Sequence, residues 1–237
     1  MKVAHSTDRG KVHLENDDSI QVDQERGIFL LADGMTGFQG KAASQLAVQT
    51  AYEFIQNRIA KAQGEKALKD LFADAFAHTH AAVQEASRRD RTLRGMGTTL
   101  LMLVIQGNTA SLGHVGDSRA YIVREAITQL TTDHAQDHCF ADEVMLRGLF
   151  FPSQHRILAQ AIGASKKIDP QTIHTKLHTR DLLLLCSDGL TDMLSDETIR
   201  EIIKIYCDDL KGAADSLVEA ANRMGGKDNI SVILIRP

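Results

Sequence analysis

Six aspartates fall at the ends of apolar runs. Asp33 closes IFLLAD, Asp117 closes HVGD and Asp188 closes LLLLCSD, while Asp228 opens the run in GGKDNISVILI and Asp17 and Asp18 stand just before SIQV. Strand ends are rigid and the loops at one rim of a sheet converge, so acids placed there can share a site. Carboxylates held together repel unless something compensates them. No Lys or Arg accompanies Asp33, Asp117 or Asp188 on its strand side, although Arg119 and Lys227 stand close to two of the acids. A hard divalent cation resolves the repulsion, and an all-oxygen ligand set favours magnesium, manganese or calcium over zinc. Two ions bridged by one carboxylate acidify a shared water and clamp the attacking and leaving oxygens of a hydrolysis. Gly34, directly after Asp33, lets the backbone come close enough for its carbonyl to serve as a further ligand.

Two of the six acids lie in rhyming contexts, LLADGMT (30–36) and LLCSDGLT (184–191). Asp-Gly is a tight-turn dipeptide, so each copy alone reads as a hairpin. The pair reads better as two acids delivered to one place from two strands.

The elements that must deliver them follow from periodicity and turn chemistry. Short apolar runs at 20–22 and 28–31 flank a turn and predict a hairpin. Helical spacing predicts helices over 42–60 and 66–88. TTLLMLVIQ and TASLGHVG are separated by Gly107-Asn108, a two-residue turn signal, and RAYIV and ITQL follow with a short connection, so these are antiparallel neighbours. Residues 137–148 read as helical or as an excursion. TIHTKLH alternates at period two, Asp181 leads into a continuous apolar strand, 196–206 and 210–224 read as helices, and ISVILI closes as a strand. Strands and helices come in blocks, which is α+β architecture. Continuous apolar strands need cover on both faces, as two packed sheets with helices outside would provide.

Bulk properties narrow the function. The net charge is −4 and no basic arm is present, so nucleic acid is not an expected partner. No apolar run approaches a membrane span, and the N-terminal stretch turns polar at once. Three scattered cysteines, Cys139, Cys186 and Cys207, argue against a disulfide framework and for a reducing compartment. The expectation is a cytoplasmic, soluble monomer.

Eight stretches in order carry a resemblance: STDRGKVHLENDDS, LLADGMTG, GTTLLML, HVGDSRAYI, LTTDHA, LAQAIG, LLLLCSDGLTDML and GGKDNISVILI. Together they resemble the protein phosphatase 2C family, the metal-dependent Ser/Thr phosphatases, in its compact bacterial form. The resemblance implies an αββα sandwich over 1–237 as one catalytic domain, with a metal site at one rim of the sheets and a flap near 135–159. It implies two manganese or magnesium ions per chain, with a weaker third in bacterial members. Asp33 matches the carboxylate that bridges both ions and Gly34 the carbonyl ligand. Asp188 and Asp228 match ligands of the second ion. Asp18 matches the acid that holds metal-bound water, and Asp17 stands where the family usually has Glu. Asp117 matches the acid that shares the third site with Asp188, with Asn229 and Ser118 supporting the ligands. The implied reaction is hydrolysis of phosphoserine or phosphothreonine on proteins, the work of a Ser/Thr kinase undone, with no phosphoenzyme. Consistently, the positions six residues after the three cysteines are Met145, Asp192 and Ala213, not the Arg a cysteine phosphatase needs.

Two departures matter. The family's phosphate-contacting Arg is replaced by His13, which cannot give a bidentate grip, and Arg9 is the nearby substitute. TGFQG lacks the His that many bacterial members carry, which leaves His114, His134 and His155 as candidates for protonating the leaving group. These departures motivate an alternative, a non-catalytic, phosphatase-like metal-binding regulatory module. A two-metal phosphodiesterase is disfavoured by the acidic balance. Phe150, Phe151 and Pro152 in the flap are either an exposed apolar tip or core.

Overall fold

The computed structural model describes residues 1–35, 39–139, 154–206 and 208–237. Two five-stranded sheets carry the fold. One contains β1 (Lys2–Asp8), β12 (Ile230–Arg236), β11 (Leu182–Cys186), β6 (Arg119–Val123) and β7 (Ile127–Gln129), in that order. The other runs β10 (Gln171–Lys176), β5 (Thr109–Val115), β4 (Leu100–Gln106), β3 (Ile28–Ala32) and β2 (Ser19–Asp23). Neighbouring strands are antiparallel throughout.

Alternation along each strand explains the layers, because successive side chains point to opposite faces. In β3 and β4, Ile28, Leu30, Leu100, Met102 and Val104 pack under α1 (Gly40–Gln56) and α2 (Glu65–Arg89). Their neighbours Phe29, Leu31, Leu101 and Leu103 meet Leu183, Leu185, Ile233 and Ile235 of the opposite sheet. Leu182, Leu184, Cys186, Val232 and Leu234 face outward under α4 (Asp196–Ile205) and α5 (Leu210–Arg223). Helix, sheet, sheet, helix is the αββα order expected. Burial on both faces is why β3 and β11 read as unbroken apolar runs. Among the described residues no helix is long and apolar enough to cross a membrane.

Four expectations are corrected. Strand β1 has no counterpart in the sequence reading: it is polar, Ala4 is its one buried residue, and it pairs along the edge of β12 from Lys2↔Arg236 to Asp8↔Ile230. Asp17 and Asp18 therefore precede the second strand, in a loop that crosses from one sheet to the other. Residues 137–139 are not helical. They belong to β8 (Ala135–Cys139), which pairs with β9 (Gln154–Leu158) as a separate two-stranded ribbon where the flap is expected. Phe150, Phe151 and Pro152 lie outside the described residues. Helix α1 ends at Gln56, and the Arg58 N–H turns to Ile55 O at 2.9 Å, leading into a 3-10 turn at Ile59–Lys61. Finally, the second Asp-Gly makes no hairpin. It opens α3 (Asp188–Thr191), a single helical turn entered from Ser187.

Candidate metal centre

The acids gather where the chain leaves one sheet for another element. Asp33 follows β3, and Asp117 lies in the crossing from β5 to β6. Asp188 follows β11 and starts α3, Asp228 precedes β12, and Asp17 and Asp18 precede β2.

Hydrogen bonds fix these positions through the backbone. The Asp33 N–H donates to Thr99 Oγ1 at 2.8 Å, and its carbonyl accepts from Thr99 N at 2.8 Å and Thr98 Oγ1 at 2.7 Å. Thr99 Oγ1 lies 2.8 Å from Ser118 Oγ, which ties the Asp33 support to the residue after Asp117. Ser187 Oγ donates to Asp18 Oδ2 at 2.8 Å and accepts from Ser231 N at 2.9 Å. Asn229, almost fully buried, accepts from Asp17 N at 2.7 Å through Oδ1. Its Nδ2 donates to the carbonyls of Arg9 at 2.9 Å and Glu15 at 3.0 Å. Asp228 Oδ1 accepts from Asn229 N at 2.7 Å and sits 3.2 Å from His13 Nε2.

Neither glycine of the two Asp-Gly pairs has a positive φ. Space, not backbone freedom, demands them. A Cβ on Gly34 would lie 2.3 Å from the backbone of Gly40 at the start of α1, and one on Gly189 would lie 2.1 Å from Asn229 O. Thr191 Oγ1 turns back on Asp188 O at 3.3 Å, whereas Thr36 lies outside the described residues.

Electrostatics shows that the acids share one place. Burial pushes the Asp33 carboxyl well above the ordinary carboxylate range, and Asp18, Asp188, Asp117 and Asp228 push it further. Asp188 is raised by burial and then by Asp117, Asp228, Asp192 and Asp18. Burial raises Asp18 to about 6 against the pull of Ser231 and Ser187, with Asp228 and Asp17 adding to the rise. Asp17 is raised by burial and by Glu15 against the pull of His13 and Lys41. Arg119 brings no relief, since its guanidinium grips Asp133 at 2.7 to 3.0 Å. Two buried oxygens, Asp18 Oδ1 and Asp188 Oδ1, have no hydrogen-bond partner.

Among the described residues no three His, Cys, Asp or Glu side chains close on one point as a ready-made cage. The carboxylates strongly perturb one another without converging that tightly. Orphaned oxygens and unrelieved repulsion fit hard cations that keep part of their own water, as magnesium and manganese do.

The sequence candidates sort as follows. Asp33, Asp188, Asp228, Asp18, Asp17 and Asp117 are brought together. His13 reaches Asp228. Arg9 directs Nη1 to Leu14 O at 3.3 Å, within its own loop. His114 is fully buried and burial depresses it to about 4, so it is neutral near pH 7 and carries no proton to give. His134 stacks on it at 4.9 Å between centroids, accepts from Gly116 N at 3.3 Å through Nδ1, and is lowered by burial. The His155 side chain lies outside the described residues. Cys186 is a buried free thiol whose pKa is raised by burial, as an inert core residue requires. Ser187, Thr98, Thr99 and Asp192 were not singled out in the sequence. Only adjacency to Asp188 and the Thr-Thr pair opening GTTLLML could have marked them.

Raised acids set a pH dependence. Between the ordinary carboxylate value and the raised folded values, these folded acids bind more protons than in the unfolded chain, so their contribution to stability falls as pH rises, while the depressed His114 and His134 work the other way only below the ordinary imidazole range. Above the histidine range, the thermal midpoint of EDTA-treated protein should therefore drop from about pH 7 to about pH 9, and saturating manganese should shrink or reverse the drop. Scanning calorimetry at both pH values tests this; a flat or rising profile in EDTA contradicts it.

Fold and site together define a class, an αββα sandwich with a cluster of buried acids at one rim. A family model described as Protein phosphatase 2C matches residues 7–222. The chain is 31% identical over 242 residues to the serine/threonine phosphatase stp of Listeria monocytogenes, covering 99% of this chain and 95% of that protein. It is 33% identical over 247 residues to protein phosphatase PhpP of Streptococcus pneumoniae, with 99% and 97% covered. Among solved structures, the Mycobacterium tuberculosis serine/threonine phosphatase PstP/Ppp aligns with a TM-score of 0.81 at 32% identity over 98% of this chain and 97% of that one. The catalytic domain of PstP in complex with 2 manganese ions aligns with a TM-score of 0.78 at 31% identity, over 98% and 96%. The chain belongs to the protein phosphatase 2C family and is a protein-serine/threonine phosphatase. The family match stops at residue 222, short of Asp228, so the place of Asp228 in the site rests on the geometry above.

Proposed function

We propose that the rim acids hold two divalent cations, manganese or magnesium, with which this chain hydrolyses phosphoserine and phosphothreonine in proteins. The observation that carries this is the set of raised carboxylates, drawn from separate segments, with two orphaned buried oxygens among them. In this reading Asp33, the Gly34 carbonyl, Asp188 and Asp228 are direct ligands. Asp18 acts through water, Asp17 stands beside it, and Asp117 with Asp188 serves a third ion. Bound there, the ions supply Lewis-acid charge and a water of lowered pKa.

The remaining work belongs to the chain. Ser187 orients Asp18 by donating to one of its oxygens, which leaves the other directed into the site. Asn229 sets Asp17 and the loop before it. His13 is engaged with Asp228, so it positions a ligand rather than replacing the grip of an Arg on phosphate. Arg9 keeps further donors for that task. The physiological substrate is a phosphoprotein made by a Ser/Thr kinase, and the enzyme acts as a cytoplasmic monomer of one catalytic unit. The free Cys186 thiol supports a reducing location.

Manganese-loaded protein should hydrolyse p-nitrophenyl phosphate and phosphothreonine peptides, lose both activities in EDTA and recover them on re-addition of metal. Bis-p-nitrophenyl phosphate should stay intact. Turnover that persists in EDTA, or none at all with manganese, defeats the proposal; the latter outcome is what the regulatory-module alternative requires.

A further inference from the structure

We propose that the loop between β1 and β2 is a docking element for the polypeptide that flanks the phosphorylated residue, with Val12 and Leu14 as its apolar contacts. This rests on the phosphatase reading above and adds the feature of the substrate that the site selects: an aliphatic side chain near the phosphoresidue.

Val12 and Leu14 are 66% and 89% exposed. Single exposed apolar residues are ordinary, but these two straddle His13, whose Nε2 is 3.2 Å from Asp228. They are also held in place. Lys11 N donates to Gly226 O at 2.8 Å and Gly10 N to Asp8 Oδ1 at 2.8 Å. Asn229 grips the carbonyls of Arg9 and Glu15 on either side of the pair, and Arg9 Nη1 reaches Leu14 O. The packing leaves no slack, since a Cβ on Gly10 would lie 2.3 Å from Asp228 O. Two large apolar side chains are thus presented to solvent on a pre-organised loop, which lowers the ordering cost of binding.

What they face is a trough of about 770 Å³, lined by Val12, His13, Leu14, Asp17, Gly40 and Lys41 among others. It adjoins the acid cluster: its wall includes Asp17 and His13, and His13 Nε2 touches Asp228 at 3.2 Å. For a phosphoryl group held at the acids, an extended chain advancing about 3.3 Å per residue brings a neighbouring side chain within reach of this trough when it runs past His13 and Asp17. Adjacency to the reaction centre is why the occupant is substrate polypeptide rather than a second copy of the chain. A small aryl phosphate has nothing to put there.

The test compares two phosphothreonine peptides, one with leucine at the positions flanking the phosphoresidue and one with serine. Wild-type protein should show a kcat/KM ratio of about fivefold or more in favour of the leucine peptide. In the Val12→Ser/Leu14→Ser variant the ratio should fall toward one, and in Leu14→Met it should persist. A ratio is insensitive to loss of folded enzyme, which lowers both rates alike. Wild-type turnover of p-nitrophenyl phosphate without any peptide preference overturns the docking proposal alone, as does a preference that survives the double variant. Absence of p-nitrophenyl phosphate turnover overturns the phosphatase reading beneath it. A concentration-dependent dimer that the double variant abolishes would assign the surface to a second copy and also overturn the proposal.

Discussion

Asp33→Asn should lower metal-dependent turnover by about a thousandfold or more while raising the thermal midpoint of the metal-free protein. The two effects have one cause. Burial and four neighbouring acids hold the Asp33 carboxyl far above its ordinary range, so without cations the charge is a burden on the fold. Asparagine keeps the shape and removes that burden. With cations the same charge is the attraction that holds them, and a neutral amide cannot replace it. The Asp33 backbone contacts to Thr98 and Thr99 do not involve the side chain, so the local strand end stays in place. A midpoint rise on the order of 2 °C or more in EDTA, together with weakened manganese binding by calorimetry, is the expected signature. Full activity, or a metal-free protein less stable than wild type, would remove Asp33 from the centre.

Gly189→Ala should be among the damaging single methyls of the site region. The added carbon would lie 2.1 Å from Asn229 O and 3.0 Å from Asn229 C, both backbone atoms of the segment entering β12. Backbone cannot rotate away as a side-chain tip can, so α3 or the approach to β12 must shift, at a cost of about 2 to 4 kcal/mol. The functional loss should exceed the stability loss. Asn229 positions Asp17 and the loop to its N-terminal side, and Asp228 precedes it directly. A displaced Asn229 therefore moves acids of the cluster contributed by two separate segments. Gly107→Ala is the matched control: its φ of 59° makes alanine strained, yet nothing lies within 4 Å. It should cost about 1 kcal/mol and leave the metal affinity alone. Urea midpoints and manganese titrations on both variants separate the cases. Equal losses of metal affinity in the two would show that close packing at Gly189 is not what positions the site.

The gathering of the acids was legible because it obeys a local rule: each acid sits beside an apolar run that marks a strand. The sandwich was legible for the same reason, since β3 and β11 are apolar at every position and need cover on both faces. Strand β1 was not legible, because an edge strand with one buried residue carries almost no pattern. The reason for Gly189 was also hidden. A local reading assigns Asp-Gly to a turn, and the crowding comes from Asn229, a residue distant in sequence. His13 shows the same limit. Its type suggested a weakened phosphate grip, but its partner Asp228 is set by the pairing of β1 with β12. Asn229 was marked as a supporting residue, whereas its hold on three separate backbone groups needs the folded chain to be seen.

That pairing also bears on how the molecule acquires its activity. β1 and β12 join segments far apart in sequence, in register from Lys2↔Arg236 to Asp8↔Ile230. Contacts of such sequence separation form late and slow a folding reaction. During synthesis, Asp17, Asp18 and Asp33 leave the ribosome long before Asp228 and the Asn229 that arranges their loop. A nascent chain that lacks β12 cannot complete the acid cluster. Phosphatase activity therefore reports on the pairing of β1 with β12, and a ribosome-bound product stalled before β12 should be catalytically silent.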